Sequence, residues 1–270
     1  MDYYHIPAQK LGEGARIPLE FPGDSEAVFL KLASEMADTI KDHNERGEKT
    51  VFICPVGPVG QYPHFVQMVN EQRISLASCW FINMDEYLTD DDKWVSKDHL
   101  LSFRGFMDRV VYSQIDPELV MPEEQRVFPD PEDPGHVGRL IQELGGVDIA
   151  FGGIGITGHL AFNEPQEALA CEAFAQLETR ALDIRPETRA TNCSDLGGAL
   201  EDFPHRAVTI GMKEILGARK VRLGVFRDWH RGVVRRAAYG EPTAAFPATL
   251  LQSHPDARIY VNDVAREQAY

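Results

Sequence analysis

The sequence predicts an α/β protein: a doubly wound, mainly parallel sheet flanked by helices, Rossmann-like in plan. Two observations carry this. Short apolar runs, Thr50–Cys54 and Ser78–Ile82, mark strands covered on both faces, and Val147–Phe151 and Val221–Phe226 read as further strands. Segments of helical periodicity lie between them, and strands alternating with helices imply parallel strands joined by crossovers. A third observation places the chemistry. In such sheets ligands bind outside the carboxyl ends of strands, near the point where strand order reverses. The loops 55–61, 83–87 and 152–165 each follow a predicted strand and carry polar or Gly-rich sequence.

The 270 residues are read as one α/β domain. Residues 1–23, with Pro7, Gly12, Gly14, Pro18, Pro22 and Gly23, read as an irregular arm. Asp24 or Ser25 then caps a helix whose apolar face is Val28, Phe29, Leu32, Ala33, Met36 and Ile40. A helix around Phe65, Met68 and Val69 follows the first strand. The second strand runs into Asn83-Met-Asp-Glu-Tyr87, then a polar loop over 89–99 and an amphipathic helix with Leu101, Phe103, Phe106, Met107 and Val110. The Pro- and acid-rich stretch 115–135 reads as a surface connection and 136–144 as a helix. Beyond the third strand, 165–200 reads as an irregular segment placed to act as a lid. Ala207–Ile210 and Arg258–Val261 are the remaining strands, with helices over 213–216 and 230–238.

Composition is that of a globular protein, 43% apolar and 26% charged. A net charge of −15 argues against nucleic acid and anionic membranes as partners, though a local basic pocket can still hold an anion. Cys54, Cys79, Cys171 and Cys193 show no C-x-x-C spacing and read as structural thiols. No charged-then-apolar leader opens the chain, and no apolar run approaches the roughly 20 residues of a membrane span. The expectation is a cytoplasmic protein, with a homo-oligomer open.

Two places carry chemistry. Asp85 and Glu86 are adjacent carboxylates at a strand end. A carboxylate in a closed crevice is a candidate general base, and a strand-end cap or salt-bridge partner is the alternative. Phe151-Gly-Gly-Ile-Gly-Ile-Thr-Gly-His-Leu-Ala-Phe-Asn-Glu-Pro165 sets a Gly-rich turn beside His159 and Glu164, a proton acceptor and a carboxylate able to orient it. This turn lacks the G-x-G-x-x-G spacing and following acid of a dinucleotide site.

The two motifs together resemble the glucosamine-6-phosphate deaminase/isomerase family, which shows M-D-E-Y and G-x-G-x-[DN]-G-H-[IL]-[AG]-F-N-E-P at this separation. Thr188-Arg-Ala-Thr-Asn192 resembles a third family segment, and the resemblance spans about residues 24–262. It implies opening of an aminosugar phosphate ring, movement of a proton from C2 to C1, and release of ammonia, with no cofactor or metal. By resemblance Asp85 is the base, His159 assists ring opening and Glu164 supports it. The resemblance also puts Gly57, Gly60, Glu86, Gly153, Gly155, Thr157, Gly158, Asn163, Arg189 and His230 around the substrate. The chain departs from the family at Thr157, where an acid or its amide stands. It departs again in Pro55-Val-Gly-Pro-Val-Gly60, where Val56 and Val59 replace hydroxyl residues and Pro58 removes an amide donor. Ser194 and His230 align with the family's phosphate arginine and lysine, with Arg227 and Arg231 flanking the latter. These departures lead to an expectation of altered substrate specificity. A sugar-binding regulator without turnover and a 6-phosphogluconolactonase-like hydrolase are the competing readings.

Overall fold

The computed structural model describes residues 2–270, the side chain of Asp195 excepted. In chain order the strands are β1 (Leu19–Gly23), β2 (Thr50–Cys54), β3 (Cys79–Asn83), β4 (Asp85–Leu88), β5 (Arg126–Val127), β6 (Ile149–Gly152), β7 (Arg180–Asp183), β8 (Arg206–Thr209), β9 (Lys220–Val225) and β10 (Ala257–Asn262). The helices are α1 (Ser25–Arg46), α2 (Gln61–Glu71), α3 (Phe103–Val110), α4 (Gly135–Leu144), α5 (Cys171–Ala175), α6 (Pro186–Asn192), α7 (Met212–Leu216), α8 (His230–Tyr239) and α9 (Asp263–Arg266).

Seven strands form one sheet in the order β1-β10-β9-β6-β2-β3-β5, and every neighbouring pair is parallel. The apolar runs behave as doubly covered strands must. Along β2, Val51 and Ile53 enter one core cluster, with Val137 of α4, Ile215 of α7 and Val234 of α8. Phe52 and Cys54 point the other way, into a cluster with Leu32 and Met36 of α1 and Phe65 of α2. Both faces are therefore dry, so the side-chain period of two leaves no polar alternation to read. From β2 the chain builds outward through β3 to β5; from β6 it builds the other way through β9 and β10. The order reverses between β2 and β6, and that reversal positions the site.

α1 starts where the sequence predicts. Asp24 accepts a hydrogen bond from the Ala27 N–H at 2.9 Å, and the helix ends at Gly47 in the left-handed region, φ 67°.

Three expectations change. The last residues of the predicted irregular arm are β1, an edge strand paired with β10 through Leu19↔Ile259 and Glu20↔Tyr260. Pro22 hid it, but an edge position tolerates a missing donor. The strand expected at 207–210 forms over 206–209 as β8, yet it sits outside the parallel sheet. β8 lies between β4 and β7, antiparallel to both, in a separate three-stranded sheet. The segment 165–200 is not irregular: it holds α5, β7 and α6. No helix among the described residues is long and apolar enough to cross a membrane.

Candidate active site

The loops after β2, β6 and β9 and the β3–β4 junction open onto one cavity of about 500 Å³. It lies at the carboxyl ends of the parallel strands, over the β2/β6 reversal. Pro55, Val56, Gly57, Pro58 and Val59 line one side, and Gly153, Ile154 and Gly155 another. Phe29, Phe226 and Trp229 form an apolar wall; Tyr87, Phe103, Phe162 and Phe203 form a second.

Asp85 reaches the cavity because of how the chain changes sheets. The Met84 N–H donates to Cys54 O of β2 at 3.0 Å, and Met84 O accepts from the Ile210 N–H at 2.7 Å. Met84 thus ties the parallel sheet to the residue after β8, and Asp85 opens β4 at that crossing. Its side chain lines the cavity, and no hydrogen bond or ion pair reaches its carboxylate among the described residues. Burial, and then the charge of neighbouring Glu86, hold the Asp85 carboxyl well above the usual carboxylate range.

Adjacent strand residues face opposite ways, so Glu86 turns from the cavity, fully buried. It accepts hydrogen bonds from Ser102 Oγ at 2.9 Å, the Phe103 N–H at 3.0 Å, and the Arg104 N–H and Nε at 2.9 and 3.2 Å. The expected substrate carboxylate is instead the anchor of the α3 N-terminus, where a negative charge meets unpaired N–H groups. Of the paired acids one faces ligand and the other holds a helix.

His159 also lines the cavity. A Cβ on Gly155 would lie 2.0 Å from its Cε1 and Nε2, so the turn needs glycine there for the ring to stack on the backbone. Three oxygens converge on Nδ1: Thr157 Oγ1 at 2.8 Å, Glu164 Oε2 at 3.2 Å and Thr188 Oγ1 at 3.4 Å. The Thr157 hydroxyl donates to Glu164 Oε2 at 3.0 Å. Its single proton is thereby committed, and its oxygen accepts from Nδ1–H. That assignment leaves Nε2 as the lone-pair nitrogen of the neutral ring. Burial works to raise the Glu164 pKa, but the hydrogen bond and charge of His159, with hydrogen bonds from Thr188 and Thr157, outweigh it and hold it below its ordinary value. Glu164 Oε1 is buried with no hydrogen-bond partner among the described residues.

The other predicted residues divide. Gly57, Gly153, Gly155 and His230 line the cavity. His230 is no cation: its Nδ1 accepts from the N–H groups of Phe226 and Arg227 at 3.2 and 2.8 Å, and its Nε2 pairs with Ile154 O at 2.9 Å. Burial pushes its imidazole down to about 4, with Arg227 pushing the same way against the Ile154 hydrogen bond. Thr157 and Glu164 stand behind His159 rather than on the cavity surface. Gly60 and Gly158 are elsewhere, closely approached by the rings of Phe29 and Phe246. Asn163 is fully buried; its amide donates to Leu160 O and Ile210 O and accepts from Arg180. Arg189 holds Leu200 O and Phe203 O, fastening the segment that carries Phe203. The sequence reading placed Asn192 only at the end of the family-like segment Thr188–Asn192 and gave it no role; it lines the cavity from the end of α6.

No family model matches the chain. Against curated proteins it is 31% identical over 245 residues to a glucosamine-6-phosphate deaminase of Clostridium perfringens, covering 89% of this chain and 94% of the relative. It is 32% identical over 209 residues to one of Hahella chejuensis, covering 76% and 74%. Among solved structures, a monomeric glucosamine-6-phosphate deaminase superposes with a TM-score of 0.79 at 24% identity, over 92% of this chain and 98% of that one. A 6-phosphogluconolactonase from Shewanella baltica gives 0.63 at 18% identity, over 90% and 97%. The lactonase likeness is one of fold alone. Identity over nearly the whole length, on top of a cavity holding an aspartate and a histidine at the sheet's reversal, means that the chain belongs to the glucosamine-6-phosphate deaminase family.

Proposed function

We propose that the protein is an aminosugar (phosphate) deaminase/isomerase in which Asp85 and His159 carry the proton transfers and Glu164 supports the histidine. The carrying observation is that Asp85 and His159, brought from different strand ends, line one cavity. His159 Nε2 takes the proton of the anomeric hydroxyl and returns it to the ring oxygen, which opens the ring. Asp85 then removes the C2 proton and returns it to C1 while a proton passes from the amine to O1, turning the open-chain aldose into a ketimine. Water adds at C2, and the amine leaves as ammonia with a ketose behind. A desolvated carboxylate suits the second task, because its raised proton affinity lets it both take and return the proton. An imidazole with a lone-pair nitrogen facing the cavity suits the first, since it can accept and return a proton.

The same reading includes a changed grip on the sugar's far end. Val56, Pro58 and Val59 supply no hydroxyl, and Pro58 no N–H; Ser194 is uncharged, and His230 is neutral with both ring nitrogens on main-chain groups. Each lost hydrogen bond to a dianion costs about 1.5–3 kcal/mol. The favoured substrate is therefore an aminosugar without a phosphate dianion at that end. Ammonia release from glucosamine, 6-deoxyglucosamine and glucosamine 6-phosphate tests both parts. Ammonia from none of them defeats the reaction. Turnover of glucosamine 6-phosphate at micromolar KM defeats the changed grip and leaves the reaction standing.

A further inference from the structure

A hexosamine that enters this cavity must bury several hydroxyls, and each one left without a partner there costs free energy. Val56, Pro58, Val59 and the five phenylalanines of the two walls offer no polar side-chain groups. Among the polar side chains, Asp85 and His159 are occupied by proton transfer, Tyr87 and Arg227 already have partners within the protein, and His230 has both ring nitrogens on main-chain groups. Asn192 is different. It lines the cavity, is half-buried, and its amide has no hydrogen-bond partner among the described residues. Its place is also fixed relative to the reacting end. Thr188, one helical turn earlier on α6, is buried with its hydroxyl 3.4 Å from His159 Nδ1. Residues four apart share one helix face, with Cβ atoms about 5–6 Å apart. α6 therefore presents one side chain to the back of the histidine and the next to the ligand space beside it.

We infer that Asn192 is a specificity-determining residue that hydrogen-bonds a hydroxyl of the sugar chain, away from the atoms that His159 and Asp85 serve. This rests on the aminosugar reading above. An amide both donates and accepts, so it matches a hydroxyl, which does the same, better than it matches a dianion. It also separates discrimination from chemistry: loss of Asn192 weakens binding and leaves the reacting groups in place.

The test crosses protein variants with ligand analogues. Wild type, N192A and N192S are titrated calorimetrically with glucosamine, its 3-deoxy and 4-deoxy analogues, and glucosamine 6-phosphate. Ammonia release is followed in parallel. The expected result is binding of the parent sugar weakened about 10-fold in N192A, with kcat within about 3-fold of wild type. One deoxy analogue binds about 10-fold more weakly than the parent to wild type, and that penalty disappears in N192A. A purely structural role would leave the penalty intact in every variant. N192S shows the same collapse if the alanine chain does not fold. Unchanged binding in the variants, or a deoxy penalty that survives them, overturns the inference while the reaction stands. Binding that collapses as expected with no ammonia formed overturns the reaction and keeps Asn192 as a reader of sugar. Failure of every aminosugar to bind wild type overturns both.

Discussion

Asp85 carries a cost in the folded protein that its substitution should expose. An acid whose folded pKa lies above its unfolded value binds its proton more tightly when folded. Its destabilising effect is absent below about pH 4, where both states are protonated, and grows as pH rises toward the folded value. Asp85 is such a group through burial and the charge of Glu86. D85N should therefore melt higher than wild type at pH 7–8, with the gain shrinking toward pH 4, while activity falls at least about 100-fold. Melting curves across that range decide it; a gain that is flat with pH would mean the carboxylate is not desolvated. Thr157 is the other informative residue. Its hydroxyl bridges Glu164 and His159 Nδ1, so it positions the ring without adding a second negative charge. T157V should lower kcat by about 10- to 100-fold, the worth of a hydrogen bond to a charged group. T157S should stay near wild type, and the His159 ring nitrogens should report the change in 15N spectra. A valine variant with full kcat and an unchanged 15N signature would leave Glu164 alone in that task.

At the scale of elements, the loop between β9 and α8 is fastened by His230 to the loop after β6, so one side chain sets the spacing of two cavity walls. Its neutrality gives this fastening a pH dependence. The unfolded imidazole takes a proton near pH 6.5, the folded one only at about 4. The unfolded state binds more protons between those values, so stability present above pH 6.5 is lost progressively as pH falls to about 4. The loss amounts to about 3 kcal/mol at the end of that window. H230Q, which cannot titrate, should be less stable than wild type at pH 7.5 and should close the gap as pH falls through the window. Urea unfolding at pH 7.5, 6 and 4.5 measures this; a gap independent of pH would place the histidine in solvent. Elements also set what the sequence could tell. β2, β3 and β6 were legible because strands dry on both faces leave largely apolar runs, and β9 and β10 because each predicted run holds one arginine among apolar residues. β4 and β7 were not: Asp85 and Glu86 in one, and Arg180 and Asp183 in the other, break any such run. Residues 207–210 read as strand but not as part of a separate sheet, since side-chain period does not name a strand's neighbours. In the site, Asp85 and His159 stood out because charged groups followed apolar strands. Glu86 was misassigned because the alternation that turns it away belongs to β4, a strand the sequence did not reveal.

For the molecule as a whole, charge and cavity chemistry combine into one prediction about ligands. The net charge is −15, and the described lining of the cavity includes one Lys or Arg, Arg227. The surrounding field is therefore negative, while the cavity supplies little to reverse it. At pH 6.5 glucosamine enters as a cation through its protonated amine, whereas the 6-phosphate adds negative charge that the field repels. Salt screens fields over a length of about 30 Å at 0.01 M and about 8 Å at 0.15 M. Raising salt across that range should lower kcat/KM for glucosamine, whose approach is assisted. It should raise or leave unchanged kcat/KM for glucosamine 6-phosphate, whose approach is opposed. Opposite slopes would mean the global charge governs entry and no concentrated basic patch receives the distal end. A 6-phosphate rate that falls steeply with salt, more than that of the parent sugar, would mean that local cations dominate the cavity. The replacements at Val56, Val59 and Ser194 would then have been offset from within the site, with Arg227 and Arg231 the first positions to substitute.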